Sequence, residues 1–296
     1  MRLFVAVAET GSFSSGAQRV GLSKSVASKQ IKALEDHLGA RLINRTTRRL
    51  NLTEVGTAYA ERCRRLLADL DETEASVSRL HADPRGVLRI NAPMSFGQQH
   101  LAPLLAEFLR RYPHIELDLN LNDRRVDLLE EGVDVAIRIG ELEDSSLIAR
   151  KLSETELVAC ASTDYVAQQG LPGHPDELAR HPCLGYSLRA GRDVWRFRRD
   201  GEEVSVNVQG PLRVNNGDTL RVAALAGLGI VLSPCFISGA DLQAGRLVRV
   251  VPEWRAATLG IYAVYPPHRY LSAKVRAMVD FLRDHVIRGK TWQAAA

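Results

Sequence analysis

Metal, disulfide and membrane chemistry all need patterns that this chain does not have. Its four cysteines, Cys63, Cys160, Cys183 and Cys235, are spread over 296 residues with no CxxC or Cys/His spacing. That excludes a disulfide framework or a zinc module, and the expectation is reduced, packed thiols. No apolar stretch approaches the roughly 20 residues of a membrane span, and the amino terminus has no long apolar core for export. The chain is therefore expected in the cytoplasm, with no membrane partner. No Walker sequence and no G-x-S-x-G occurs, and Gly227-Leu228-Gly229 lacks the third glycine and charged partner of a dinucleotide fingerprint. The eight histidines are scattered without ligand spacing. No enzymatic activity, metal or cofactor is expected.

Composition is that of an ordinary soluble protein, 45% hydrophobic and 25% charged, and the length allows two or three domains. Charge is not evenly spread. Residues 1–65 carry 12 Lys or Arg against five Asp or Glu, a local balance of +7, while the whole chain balances at +4 and the remainder at −3. One basic end on an acidic body is the electrostatic footprint of a nucleic-acid module.

Within that basic end, residues 22–38 read as a helix of divided surface. At 100° per residue Ala27, Ile31, Leu34 and Leu38 share one face, and Ser25, Ser28, Lys29 and Lys32 the opposite one, with no acid until Glu35. The first face asks for a core. The second suits phosphate contacts at the helix sides and base-edge contacts at its centre. Ser23 is placed to cap this helix and Gly39 to end it. Upstream, 2–9 and 14–20 read as two short helices broken at 10–12 and stopped at Gly21. Gly16 should weaken the second by on the order of 1 kcal/mol. Downstream, two β-prone runs flank Thr46 and Thr47, with Arg45, Arg48 and Arg49 at the tip, a basic wing over a phosphate backbone. Helix, turn, reading helix and wing occur in the winged helix-turn-helix order.

After Thr53, apolar or small residues recur at Tyr59, Cys63, Leu66, Leu70, Thr73, Val77 and Leu80, alternating steps of four and three. This is a heptad seam. A helix from 54 to 81 would run ~40 Å and cannot bury such a seam alone, so the pattern predicts a partner helix from a second subunit. A two-fold pair of reading helices would then address a palindromic site.

From Asp83-Pro84-Arg85-Gly86 onward the rhythm changes to alternating strands and helices. Strands are predicted at 87–91, 115–121, 133–139, 155–161, 212–214, 230–232 and 259–265, with helices at 96–112, 126–131, 218–226 and 272–288. A hairpin is predicted from 195–199 and 204–208 about Asp200-Gly201. The rhythm implies a mainly parallel sheet folded as two α/β lobes, the late strand and helix returning to the first lobe. Two chain turns would face the cleft between them. Met94, Ser95 and Phe96 stand where the first strand meets its helix, so Ser95 and nearby N–H groups could hold an anion, and Asn215, Asn216 and Gly217 occupy the matching place in the second lobe.

The stretch FVAVAETGSFSSGAQRVGLSKSVASKQIKALEDHLGARLINRTTRRLNLTEVG closely resembles the DNA-binding region of LysR-type transcriptional regulators. VDVAIRIGELEDSSLIARKL and RVNNGDTLRVAALAGLGIVLSPCF are similar to the recognisable parts of that family's effector-binding domain. The resemblance implies an α+β multidomain chain. A winged helix-turn-helix would occupy 1–53 and a dimerisation helix 54–82. A two-lobed domain like type 2 periplasmic binding proteins would occupy 87–296, with lobe 1 at about 87–161 plus 266–290 and lobe 2 at about 162–265. It implies DNA contacts by Lys24, Ser25, Ser28, Lys29, Gln30, Lys32, Arg45, Thr46 and Arg48. Ser95, Phe96, Asn122, Arg138, Asn215, Asn216 and Pro234 are the effector-site candidates. The implied partners are double-stranded DNA at an interrupted palindromic promoter site, RNA polymerase, a small polar or anionic metabolite as co-inducer, and further copies of the chain in a homodimer or homotetramer. A solute-binding transport protein and a ligand-independent DNA binder are the alternatives, and the basic module speaks against the first.

Overall fold

A computed structural model describes residues 1–45, 50–77, 83–142, 145–188, 194–267 and 271–288. The chain forms two compact units, Met1–Ala82 and Asp83–Ala296.

The first unit begins with α1 (Arg2–Thr10), α2 (Phe13–Arg19) and α3 (Lys24–Leu38). The ends follow local chemistry. Ser12 caps α2 by accepting from Ser15 N, Ser23 caps α3 by accepting from Val26 N, and left-handed glycines at 11 and 39 stop α1 and α3. Gly16 has a packing reason that outweighs its propensity. A Cβ there would lie 2.5 Å from Val7 Cγ2 and 2.6 Å from Val7 Cα. Glycine thus lets α2 settle directly on α1, around a core of Leu3, Phe4, Val7, Ala17, Ala27, Ile31 and Leu42.

The antiparallel strands β1 (Ile43–Arg45) and β2 (Leu50–Leu52) pair Ile43 with Leu52 and Arg45 with Leu50. Helix α4 (Glu54–Val77) follows, with Thr53 Oγ1 accepting from Gly56 N at 2.9 Å. The seam on α4 divides. Tyr59 is half-buried against the unit's own core and Cys63 is buried, whereas Leu66 and Leu70 are 56% and 45% exposed. The side chains of Thr73 and Val77, and the whole of Leu80, lie outside the described residues.

The second unit begins with β3 (Gly86–Ala92), α5 (Met94–Phe96), a π-turn at Gly97–Leu101 and α6 (Ala102–Arg111). Next come β4 (Ile115–Leu121), β5 (Val135–Gly140) and the long β6 (Ile148–Ser162). The second lobe continues with α7 (Thr163–Gln169), a 3-10 turn at Pro175–Arg180, β7 (Cys183–Tyr186) and the hairpin β8 (Val194–Arg199) and β9 (Glu202–Asn207). Then follow β10 (Arg213–Val214), α8 (Gly217–Leu225), β11 (Ile230–Pro234), α9 (Cys235–Gln243) and β12 (Leu247–Arg249). Strand β13 (Thr258–Tyr265) and α10 (Ala273–Arg288) close the unit.

The sheet runs β10-β7-β11-β6-β13-β5-β3-β4, with β12 also on β6. It is mixed rather than mainly parallel. Parallel pairs at each end are joined through antiparallel β6 and β13. Those two strands cross between lobes, and the crossings differ from the expected 161/162 and 265/266. Leu157, Ala159 and Ala161 of β6 already pack in the second lobe's core, and Ile261, Ala263 and Tyr265 of β13 pack in the first. The helix expected at 126–131 is a turn instead, because the Asp127 carboxylate accepts from Leu129 N at 2.8 Å and Glu130 N at 3.1 Å. Strand β6 begins at Ile148, well before the expected 155.

Candidate functional site

On α3 the expected reading face is open. Lys24, Ser25, Lys29, Gln30 and Lys32 are exposed, and Ser28 is half-buried. Ala27 and Ile31 are buried beneath them and Leu34 is half-buried, but Leu38 is exposed at the last turn, where the core has ended. Ser25 Oγ lies 3.1 Å from the capping Ser23 Oγ, which orients its hydroxyl at the helix start.

Two residues of α3 are placed in ways that the sequence did not reveal. Val26 is 41% exposed on the same face as Lys29, an apolar group suited to a thymine methyl. Glu35 turns away from the DNA face, and its Oε1 accepts from Leu42 N at 2.8 Å and Ile43 N at 3.0 Å. A carboxylate on α3 thereby fixes the start of the wing. Arg45 ends β1, while its side chain, Thr46 and Arg48 lie outside the described residues.

In the second unit the two expected turns do meet. Ser95 is 3% exposed and its Oγ has no hydrogen-bond partner among the described residues. It faces α8 of the second lobe closely enough that a Cβ built on Gly217 would lie 3.7 Å from it. Around it the lobes touch directly. Gln99 Nε2 donates to Asp218 Oδ1 at 2.6 Å, and His100 Nε2 lies 2.9 Å from the Phe236 carbonyl oxygen. Burial holds His100 below its ordinary value, opposed by the Phe236 carbonyl and the Asp218 charge. Gln99 and His100 both ride on the π-turn, a local irregularity common at functional sites.

The other candidates divide by what already holds them. Phe96 is a core residue, packed edge-on against Phe236 with ring centroids 5.6 Å apart. Asn122 Oδ1 accepts from Arg124 N at 2.9 Å, shaping its own turn. Arg138 donates to Asn91 Oδ1 at 2.7 Å and to Val126 O at 3.3 Å, tying the sheet to the following turn. Asn216 caps α8 through Thr219 N, Asn215 is exposed beside it, and Pro234 begins α9.

The anion site expected at the start of α5 is also taken from within. Met94 N donates to Asp123 Oδ1 at 3.0 Å. Burial pushes the Asp123 carboxyl up and Asp218 adds to the rise, while the Met94 N–H opposes it. Sequence reading missed Gln99, His100, Asp123 and Asp218. The charge pattern names two acids here, but only the fold brings them to one place.

The family model for bacterial regulatory helix-turn-helix proteins of the lysR family matches residues 1–57, and that for the LysR substrate binding domain matches residues 81–287. This chain belongs to the LysR family of transcriptional regulators. An HTH-type transcriptional regulator of Xanthomonas campestris pv. campestris is 41% identical over 95% of this chain and 83% of that protein. The HTH-type transcriptional regulator PtxR of Pseudomonas aeruginosa is 39% identical over 96% of this chain and 91% of that one. Among solved structures, CrgA of Neisseria meningitidis, a LysR-type transcriptional regulator, is similar at 36% identity with a TM-score of 0.63, covering 96% of this chain and 97% of CrgA. The full-length virulence activator AphB of Vibrio cholerae is similar at 32% identity with a TM-score of 0.61, over 96% and 97% of the two chains. The chain is thus a DNA-binding LysR-family regulator with an effector-binding domain. Among the described residues no helix is long and apolar enough to cross a membrane.

Proposed function

We propose that this LysR-family chain works in the cytoplasm as a homodimer or homotetramer. It sets α3 into the major groove of each half of an interrupted palindromic promoter site and alters access of RNA polymerase when a small metabolite binds between the lobes. Lys29, Ser25, Ser28 and Val26 face base edges. Lys24, Lys32, Gln30 and the wing residues Arg45, Thr46 and Arg48 hold the backbone. The observation that carries the effector reading is Ser95 Oγ, a buried hydroxyl at the seam of two lobes without a partner among the described residues. Such a group costs on the order of 1–3 kcal/mol unless something satisfies it.

Of the polar and anionic metabolites, the neighbours favour the polar one. Asp123 already fills the N-terminus of α5, and Asp218 adds a second carboxylate nearby. An effector bearing hydroxyl or amine donors meets both acids, whereas a carboxylate is repelled. Binding that differs between two arrangements of the lobes would shift their populations and so the spacing of the paired reading helices. The test is a thermal-shift screen of full-length protein against polyols, amino alcohols and matched carboxylic acids, repeated with Ser95→Ala. A donor-rich compound whose stabilisation is lost in the variant supports the reading. Stabilisation only by acids, unchanged in the variant, overturns it.

A further inference from the structure

The second lobe contains a recess that the DNA-reading and cleft residues do not explain. It measures about 60 Å³ and lies between β6 and the segment joining β12 to β13. A single water needs ~10–15 Å³ in comparable terms, so the recess holds a carboxyl group with a few carbons. Leu157, Phe197, Val251 and Trp254 give it an apolar wall, and Glu156, Arg249 and Arg255 bring charge to it.

Three observations point to an occupant. Trp254 is buried, and its indole N–H has no acceptor among the described residues, although a buried tryptophan ordinarily finds one. The ring is held from outside, with the Arg199 guanidinium 4.5 Å above it and the His174 ring edge-on at 5.0 Å. Next, Arg249 is only loosely matched by Glu156, at 3.8 Å, beyond hydrogen-bond reach. With Arg255, the two cations outnumber the one acid. Finally, Val251 sits at φ 48°, a left-handed conformation costly for a β-branched residue. Its N–H donates to Pro172 O and its carbonyl accepts from Trp254 N, which hold that bend and hence the tryptophan. Strain of this kind collects at ligand clamps.

The place matters as much as the lining. Glu156 pairs with Thr258, and Leu157 N donates to Ala257 O at 3.0 Å. These are the points where β6 and β13 pass between lobes, so the recess adjoins the hinge. We propose that it is a second small-molecule site, separate from the cleft, taking a short monocarboxylate. The carboxylate pairs with Arg249 and Arg255 and accepts from the Trp254 N–H, and the carbon body lies on Leu157 and Phe197. Occupancy stiffens the crossing strands and so biases lobe closure.

The test uses full-length protein labelled with 5-fluorotryptophan and followed by fluorine NMR. Three tryptophans give three resonances, and Trp254→Phe assigns the relevant one. Propanoate and butanoate are titrated beside propanamide and butanamide. The expected result is a saturable shift of the Trp254 resonance with the acids alone. The affinity falls at least about tenfold in Arg249→Gln/Arg255→Gln, the loss of a charge-assisted contact, and is unchanged in Ser95→Ala. An intact Trp195 resonance shows that the double variant is folded. Absence of a saturable shift, equal shifts with the amides, or full affinity in the double variant overturns the site. Loss of the shift in Ser95→Ala assigns it to the cleft and overturns the second site equally, while keeping Ser95 in the effector site and removing the preference there for donor-rich compounds.

Discussion

On α3 an isopropyl group stands in the open beside ammonium groups. That group is Val26, and the proposed docking of α3 would set it against a base edge. Lys32→Ala is expected to weaken binding to any operator fragment and to flatten the dependence of log K on log salt by about one unit per reading helix. Val26→Ala should leave the salt slope unchanged and lower the preference for thymine over uracil several-fold at one position. Binding assays with uracil-substituted operator fragments measure this, and equal discrimination by variant and parent would remove Val26 from the base-reading set. The face itself was legible, because period and capping residues are local. Val26 was not, since an apolar residue next to Ala27 reads as core until the helix is seated. Glu35 was misread as the acid that ends the cationic face for a similar reason: its partners, Leu42 N and Ile43 N, belong to backbone that only folding brings near.

Elements whose chemistry lies within a few residues were found, and those made by distant partners were not. The turn at Asp200 and Gly201, with φ of 48° and 89°, is the hairpin that an Asp-Gly pair announces. Helix α9 was invisible because it is buried nearly all round, so it has no polar face to give it a period. Its anchor is Asp241, fully buried, accepting from Arg221 Nε at 2.5 Å and from Arg246 at 2.8 and 2.5 Å. Asp241→Ala removes the buried acceptor shared by two guanidinium groups that are themselves 27% and 59% exposed, and should cost about 1–3 kcal/mol. Urea unfolding followed by circular dichroism measures it, and a loss under about 1 kcal/mol would show that the triad is relaxed by water.

The π-turn gives a pH prediction at the same scale. His100 faces the Phe236 carbonyl and ring, the Phe96 ring and the Asp218 carboxylate. Burial holds it below its ordinary 6.5 in the fold, so on acidification the unfolded chain takes up a proton first. Its contribution is therefore complete above about pH 6.5 and is lost as pH falls below that value. Melting temperature should decline from pH 7.5 to 5.5 more steeply in the parent than in His100→Asn. Parallel curves would remove His100 as a source of the slope.

At the scale of the whole molecule, the divided seam of α4 decides what a subunit can do alone. Tyr59 and Cys63 spend the first part of the heptad on the subunit's own core, leaving Leu66 and Leu70 exposed on a helix that continues beyond them. Two leucines one turn apart on a bare helix ask for the same helix from a second copy, as the heptad requires. Leu66→Asp/Leu70→Asp puts charge into that seam without touching the core of either unit. Sedimentation should then show a smaller assembly, while the melting of each unit stays within about 0.5 kcal/mol of the parent's stability, as for other exposed sites. The consequence for DNA follows from counting phosphates. A reader that has lost its partner neutralises half as many, so the slope of log K against log salt should fall by about half. Lys32→Ala, by contrast, removes a single phosphate contact per reading helix. An unchanged assembly with an unchanged salt slope would mean that α4 is not the dimer seam, and that the pairing of the reading helices must come from the effector-binding unit.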